Sequence, residues 1–74
     1  MFEEIKKILL EELNVEEYEI SLSSKIREDL GADSLDLVQI IMAIEEHFNI
    51  EIDEDEITND ASVQQIIEYI KTKK

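Results

Sequence analysis

Apolar residues recur at helical spacing in three stretches of the chain, and the segments between them are polar but not empty. Phe2, Ile5, Ile8, Leu9 and Leu13 fall on one face with Glu and Lys between them, which predicts an amphipathic helix over residues 2–13. Asn14, a residue type tolerant of left-handed backbone, is the expected terminator. Over residues 34–48, Ile40, Ile41, Ile44 and Phe48 form one stripe, while Leu35, Leu37, Val38 and Met42 spread apolar character beyond it. That excess predicts either deep burial or a partly exposed apolar strip. Val63, Ile66, Ile67 and Ile70 define the inward face of a last helix over 62–72, opened by an S-x-x-Q box of Ser62 and Gln65. A D-x-x-E box, Asp53 with Glu56, predicts a short helix over 54–59.

Residues 14–33 are long for a connection, yet Val15, Tyr18, Ile20, Leu22, Ile26 and Leu30 punctuate them. These positions are expected to pin the loop across the core, with a turn of helix around 25–29 preceded by Ser24. The pattern predicts an all-α, four-helix bundle: three longer helices, one short third helix, and a long loop between the first two. With 74 residues, the chain reads as a single domain, 1–74, near the size at which one core is only marginally sufficient.

Composition narrows the chemistry. Cysteine is absent, so no disulfide, thiolate ligand or thiol nucleophile is available. The lone histidine, His47, argues against structural zinc. The formal net charge is −13, and no Lys or Arg occurs from Glu28 to Ile70. Such a field repels phosphate backbones and anionic membranes and attracts basic protein patches, so nucleic acid and membrane insertion are not expected. The start "MFEEIKKILLEEL" lacks the basic region and unbroken apolar core of a secretory signal, and no run is long enough to span a bilayer. The expectation is a soluble, cytoplasmic monomer.

Candidate catalytic and metal sites do not survive inspection. His47 ends a helix beside Phe48, where compensation of the helix dipole is the simpler role. A Ser34/His47 hydrolase fails on spacing, since the two residues lie roughly 20 Å apart along one helix at 1.5 Å per residue. The run Asp53–Glu56 lacks the glycine and ligand spacing of an EF-hand loop, so only diffuse divalent-cation binding is expected there. No catalytic residue and no specific metal site are assigned. Ser34 remains. Either Asp33 or Ser34 is suited to cap the central helix. A phosphate ester on a hydroxyl at that position would also lie near free backbone N–H groups and the positive end of the helix dipole. Gly31 upstream permits unusual backbone.

The residues "DLGADSLD" (Asp29–Asp36), followed by "LVQIIMAIEEHFNIEI", resemble the freestanding acyl carrier proteins of type II fatty acid synthesis, from "EEIKKILLEEL" to "VQQIIEYI". The resemblance implies that Ser34 carries 4′-phosphopantetheine, donated from coenzyme A by a phosphopantetheinyl transferase, and that the arm's thiol holds a growing acyl chain. The protein would then be a carrier and transferase substrate, not an enzyme. The resemblance also makes residues 34–48 the recognition helix for fatty acid synthesis enzymes with basic docking patches. Asp33, Asp36, Glu45 and Glu46 would supply its charges, and Leu35, Val38 and Met42 its apolar contacts. The interior stripe would sheathe the acyl chain.

The sequence departs from the family's pattern at Gln39, where a glutamate is common, at Leu37, where threonine is frequent, at Asp53, where proline is usual, and at Ile57 and Asp60. These departures bear on partner choice and leave the attachment motif intact. Two other readings stand beside this one. The first is a carrier for a specialised polyketide, peptide or lipid pathway. The second, of a different class, is an unmodified acidic helical adaptor.

Overall fold

In the computed structural model, which describes residues 1–57 and 60–73, three α-helices turn their aliphatic faces onto a shared core. Helix α1 spans Phe2–Glu12, α2 Ser34–Phe48 and α3 Val63–Lys73, and α1 packs against both of the others. No described residue belongs to a strand beyond one isolated bridge between Lys25 and Ser62. Isoleucine dominates the interior: Ile5, Ile40, Ile44 and Ile70 are fully buried, together with Leu9 and Val63. In helices, β-branched side chains are nearly fixed at χ1, so a core of this kind loses little rotamer freedom on packing.

The helix ends follow local chemistry. Helix α1 stops one residue before the expected end. Leu13 turns to extended backbone (φ −119°, ψ 154°), keeping its own side chain buried, while its N–H still donates to the Leu9 carbonyl at 2.8 Å. Asn14 is therefore not a left-handed terminator. That role falls to Asn49, whose φ of 56° and ψ of 51° end α2 after Phe48. Helix α3 opens with the expected box: the Ser62 N–H donates to Gln65 Oε1 at 2.9 Å, and the Gln65 N–H to Ser62 Oγ at 3.2 Å.

The expected short third helix is not found among the described residues. Within the described residues the segment forms only a 3₁₀ turn, Glu54–Glu56, and residues 58–59 of that expectation lie outside the described residues. The box that would have started an α-helix does not close. Asp53 Oδ1 accepts from the N–H of Asp55, two residues on, at 3.0 Å, and the Asp53 N–H donates to the Tyr69 hydroxyl at 3.3 Å. Aspartate readily makes such local turns in place of a helix, and Asp53 and Glu56 would face each other as like charges at i,i+3 spacing. Among the described residues the bundle therefore has three α-helices.

The α1–α2 loop is pinned by Ile20, Ile26 and Leu30, all buried, and by half-buried Val15. Tyr18 and Leu22, expected as anchors, are 85% and 45% exposed. The reason is that residues 17–19 form a 3₁₀ turn whose orientation is already set. The Glu16 N–H donates to Glu19 Oε2 at 2.8 Å, and Lys6 Nζ reaches Glu17 at 3.0 Å, so Ile20 goes inward and Tyr18 outward. Lys6 also holds Glu3 at 2.9 Å; the hydrogen bonds to Glu3 and then Glu17 raise its pKa above the usual lysine value.

Ser24 is buried and does not cap the following turn. Its Oγ donates to the Glu19 carbonyl and accepts the Ser21 N–H, each at 2.9 Å. The N–H of Lys25 instead donates to Asp29 Oδ2 at 2.8 Å, closing the 25–29 turn, which does not develop into a helix. Across the molecule, Ile26 N–H meets the Ala61 carbonyl at 3.1 Å and Val63 N–H the Ser24 carbonyl at 2.9 Å, so the loop seats the start of α3.

Gly31 adopts φ of 75°, and no atom lies within 4 Å of where its Cβ would be. Substitution there meets a conformational penalty without a steric one. Gly31→Ala is expected to cost about 1 kcal/mol in urea unfolding; an unchanged or raised stability would show that the left-handed turn is not required.

Candidate functional site

The candidate site is the start of α2 and the face that runs on from it. Asp33, not Ser34, is the N-cap. Its backbone is extended (φ −92°, ψ −174°), its Oδ1 accepts the Asp36 N–H at 2.8 Å, and Asp36 Oδ2 accepts the Asp33 N–H in return at 3.3 Å. Ser34 is the first helical residue. It is exposed, and its hydroxyl has no hydrogen-bond partner among the described residues. The Asp33/Asp36 pair satisfies two of the amides at this helix end, which leaves the N–H groups of Ser34 and Leu35 without acceptors among the described residues. A hydroxyl with no structural task, next to two free donors at the positive end of a 15-residue helix, is the arrangement a phosphate ester needs.

The turn before it is built by backbone. The Gly31 N–H donates to the Arg27 carbonyl and the Ala32 N–H to the Ile26 carbonyl, both at 3.1 Å. Ala32 is buried, so the chain dips into the core and re-emerges at Asp33 and Ser34.

Positions 35, 38, 42 and 45 recur at three- and four-residue intervals, so they share one face of α2, with Glu46 beside it. Leu35 is 66% and Met42 59% exposed, while Val38 is half-buried. Exposure at Leu35 and Met42 selects the partly exposed strip over full burial. The four acids differ in freedom. Asp33 and Asp36 are committed to each other's amides. Glu45 is half-buried, and its Oε2 accepts the Ile52 N–H at 2.8 Å, tethering the segment after α2. Glu46 is exposed. The Glu45 tether has no sequence signal beyond the residue's place in the last turn of the helix, and periodicity could not reveal it.

His47 sits at the far end of α2, with Nε2 at 2.9 Å from Glu4 Oε2 and its ring edge-on to Phe48 at 4.8 Å. It joins the last turn of α2 to the first turn of α1 and is not brought to Ser34. Among the described residues no cluster of His, Asp and Glu is arranged to hold a metal ion, and no helix is long and apolar enough to cross a membrane. A cleft of about 370 Å³ opens beside α3, lined by Ile57, Ala61, Ile66 and Tyr69 with polar Glu56, Gln65, Glu68 and Thr72 at its margins.

Residues 3–70 match the family described as phosphopantetheine attachment site. The acyl carrier protein of Wolinella succinogenes is 49% identical over 74 residues, covering 100% of this chain and 97% of that protein. The acyl carrier proteins of Campylobacter concisus and Campylobacter lari are 44% and 41% identical over 71 residues, in each case 96% of this chain and 92% of the relative.

The division of labour between the two capping candidates can be measured. Asp33→Ala is expected to cost about 1 kcal/mol in chemical denaturation, the usual effect of removing a cap. Ser34→Ala should leave stability within about 0.5 kcal/mol, as for a surface side chain without partners. Equal losses at the two positions would show that the serine shares the cap.

Proposed function

The chain belongs to the acyl carrier protein family, and on that premise we propose that Ser34 bears its 4′-phosphopantetheine, donated from coenzyme A by a phosphopantetheinyl transferase. The protein is a carrier of acyl chains in fatty acid synthesis and not a catalyst. Bound at the site, the prosthetic group supplies the thiol on which an acyl chain is held as a thioester, a function that a cysteine-free chain cannot perform with its own side chains.

The observation that carries the assignment is the exposed Ser34 hydroxyl, without a partner among the described residues at the first position of α2, while Asp33 does the capping. Asp33 and Asp36 hold the helix start in one geometry, so the hydroxyl is presented in a fixed place. The N–H groups of Ser34 and Leu35, with the helix dipole behind them, favour a phosphate oxygen beside that hydroxyl. Nothing described in the chain hydrogen-bonds the Ser34 hydroxyl as a general base would, and His47 is engaged with Glu4 at the other end of the helix. The proton on Ser34 is therefore left for the transferase to remove, which fits a substrate and not a self-modifying enzyme.

Docking follows from the same helix. Leu35, Val38 and Met42 offer apolar contact, and Asp33, Asp36, Glu45 and Glu46 surround them with negative charge, a surface suited to basic patches on fatty acid synthesis enzymes. Charge-steered contacts of modest area form fast and release fast, as a carrier visiting several enzymes in turn requires. The aliphatic interior around Ile40, Ile41 and Ile44, with the cleft at Ile57, Ala61 and Ile66, suits an alkyl chain, since these side chains can separate without leaving polar groups unpaired. The same reading takes residues 1–74 as a single acyl-carrier domain, a cytoplasmic monomer whose charge of −13 disfavours nucleic acid and anionic membranes.

Intact-mass measurement after incubation with coenzyme A and a phosphopantetheinyl transferase tests the assignment. A single phosphopantetheinyl increment is expected, mapping by fragmentation to Ser34 and lost in Ser34→Ala. An unmodified wild-type protein, or an increment that survives in Ser34→Ala, would overturn it.

A further inference from the structure

A phosphodiester on Ser34 would place a new anion between Asp33 and Asp36 in a chain already carrying −13. The two free amides of α2 offset part of that charge, but no Lys or Arg follows until Lys71. Upstream, the nearest cation in the chain is Arg27. Its surroundings are acidic, yet each local carboxylate has another commitment. Glu28 Oε2 lies 3.8 Å from Lys25 Nζ, Asp29 Oδ2 accepts the Lys25 N–H at 2.8 Å, and Asp33 and Asp36 cap each other. Arg27 is exposed and has no ion-pair partner among the described residues.

Backbone geometry sets residue 27 beside the turn that leads into the site. The Arg27 carbonyl accepts the Gly31 N–H at 3.1 Å, and the adjacent Ile26 carbonyl accepts the Ala32 N–H at 3.1 Å, so residues 26–27 lie alongside 31–32. Ser34 is three Cα steps beyond Gly31, at most about 11 Å along the chain. A long side chain at position 27 and a phosphate extending from position 34 can meet across that span. Arginine presents a planar fork of donors matched to phosphate oxygens, and such charge-assisted pairs are among the stronger hydrogen bonds.

We propose that Arg27 is a positioning residue for the phosphodiester on Ser34, its guanidinium offsetting the part of the phosphate charge that the two amides leave uncompensated beside Asp33 and Asp36. This rests on Ser34 being the attachment site. By pairing with the phosphate, Arg27 restricts the root of the arm to one side of the α2 start and leaves the rest of the arm free to reach partners.

The test uses the full chain, apo and loaded, with loading at Ser34 verified by mass. The Arg27 Nε–H resonance is expected to shift on loading, and that shift should fade as salt is raised toward about 1 M, where the screening length falls to about 3 Å. The ³¹P resonance of the diester should move in Arg27→Gln, move less in Arg27→Lys, which keeps the charge and loses the fork, and stay unchanged in Lys7→Gln, which removes one charge from an exposed position on α1. Unshifted Arg27 Nε–H together with identical ³¹P behaviour in all variants, in protein loaded at Ser34, would overturn the role of Arg27 while leaving the attachment assignment standing. Failure to load at Ser34 would overturn the attachment assignment and this inference with it.

Discussion

The hydrogen bond from the Asp36 N–H to the Asp33 carboxylate decides what the rest of the α2 start is free to do. A helix beginning must satisfy or solvate its first amides, and the chain offers two adjacent residues suited to the task. Because Asp33 takes it, with Asp36 returning the favour to the Asp33 amide, the serine one position later keeps its hydroxyl exposed and its own N–H available. Moving the cap by one residue would turn the same hydroxyl toward the backbone and consume it. The availability of that hydroxyl thus depends on a local choice between two good caps, resolved in favour of the carboxylate.

Around that point the fold divides its acids between structure and surface. Glu16 and Glu19 close a turn, Asp29 closes another, Glu17 and Glu3 share Lys6, and Glu45 holds the Ile52 amide. These carboxylates do the work that disulfides or metals do in other small domains, tying loops to helices where the hydrophobic core alone is small. The core supplies the remainder through aliphatic packing, with the Ser24 hydroxyl satisfied inside it.

Much of this was legible from the chain. The limits of α2, the inward residues of α3 and its Ser62–Gln65 box follow from periodicity and capping rules, and the structure places them where those rules do. The misses share a physical cause. Asn14 and Asn49 are equally able to adopt left-handed backbone, and which one does so depends on where Leu13 and Ile52 must bury, which is a tertiary matter. Tyr18 and Leu22 look like anchors because they are large and apolar, but hydrogen bonds from Glu16, Lys6 and Ser24 orient their segment first. The Asp53 box failed because one carboxylate had a nearer amide to accept from. At the site itself, the motif around Ser34 was visible, whereas the choice of Asp33 as cap and the tether from Glu45 depend on geometry that residue spacing does not encode.

The exposed strip of Leu35 and Met42 has a colloidal consequence. An apolar patch on a small protein ordinarily invites identical copies to stick, and concentration makes matters worse. Here every copy also carries the same large negative charge, so two approaching molecules repel over a range of about 8 Å at physiological ionic strength before their strips can touch. A surface of opposite sign meets no such barrier. The charge therefore acts as a sorting field: it opposes contact between copies without opposing the approach of a basic surface, and the ionic strength of the medium sets how sharply that sorting operates.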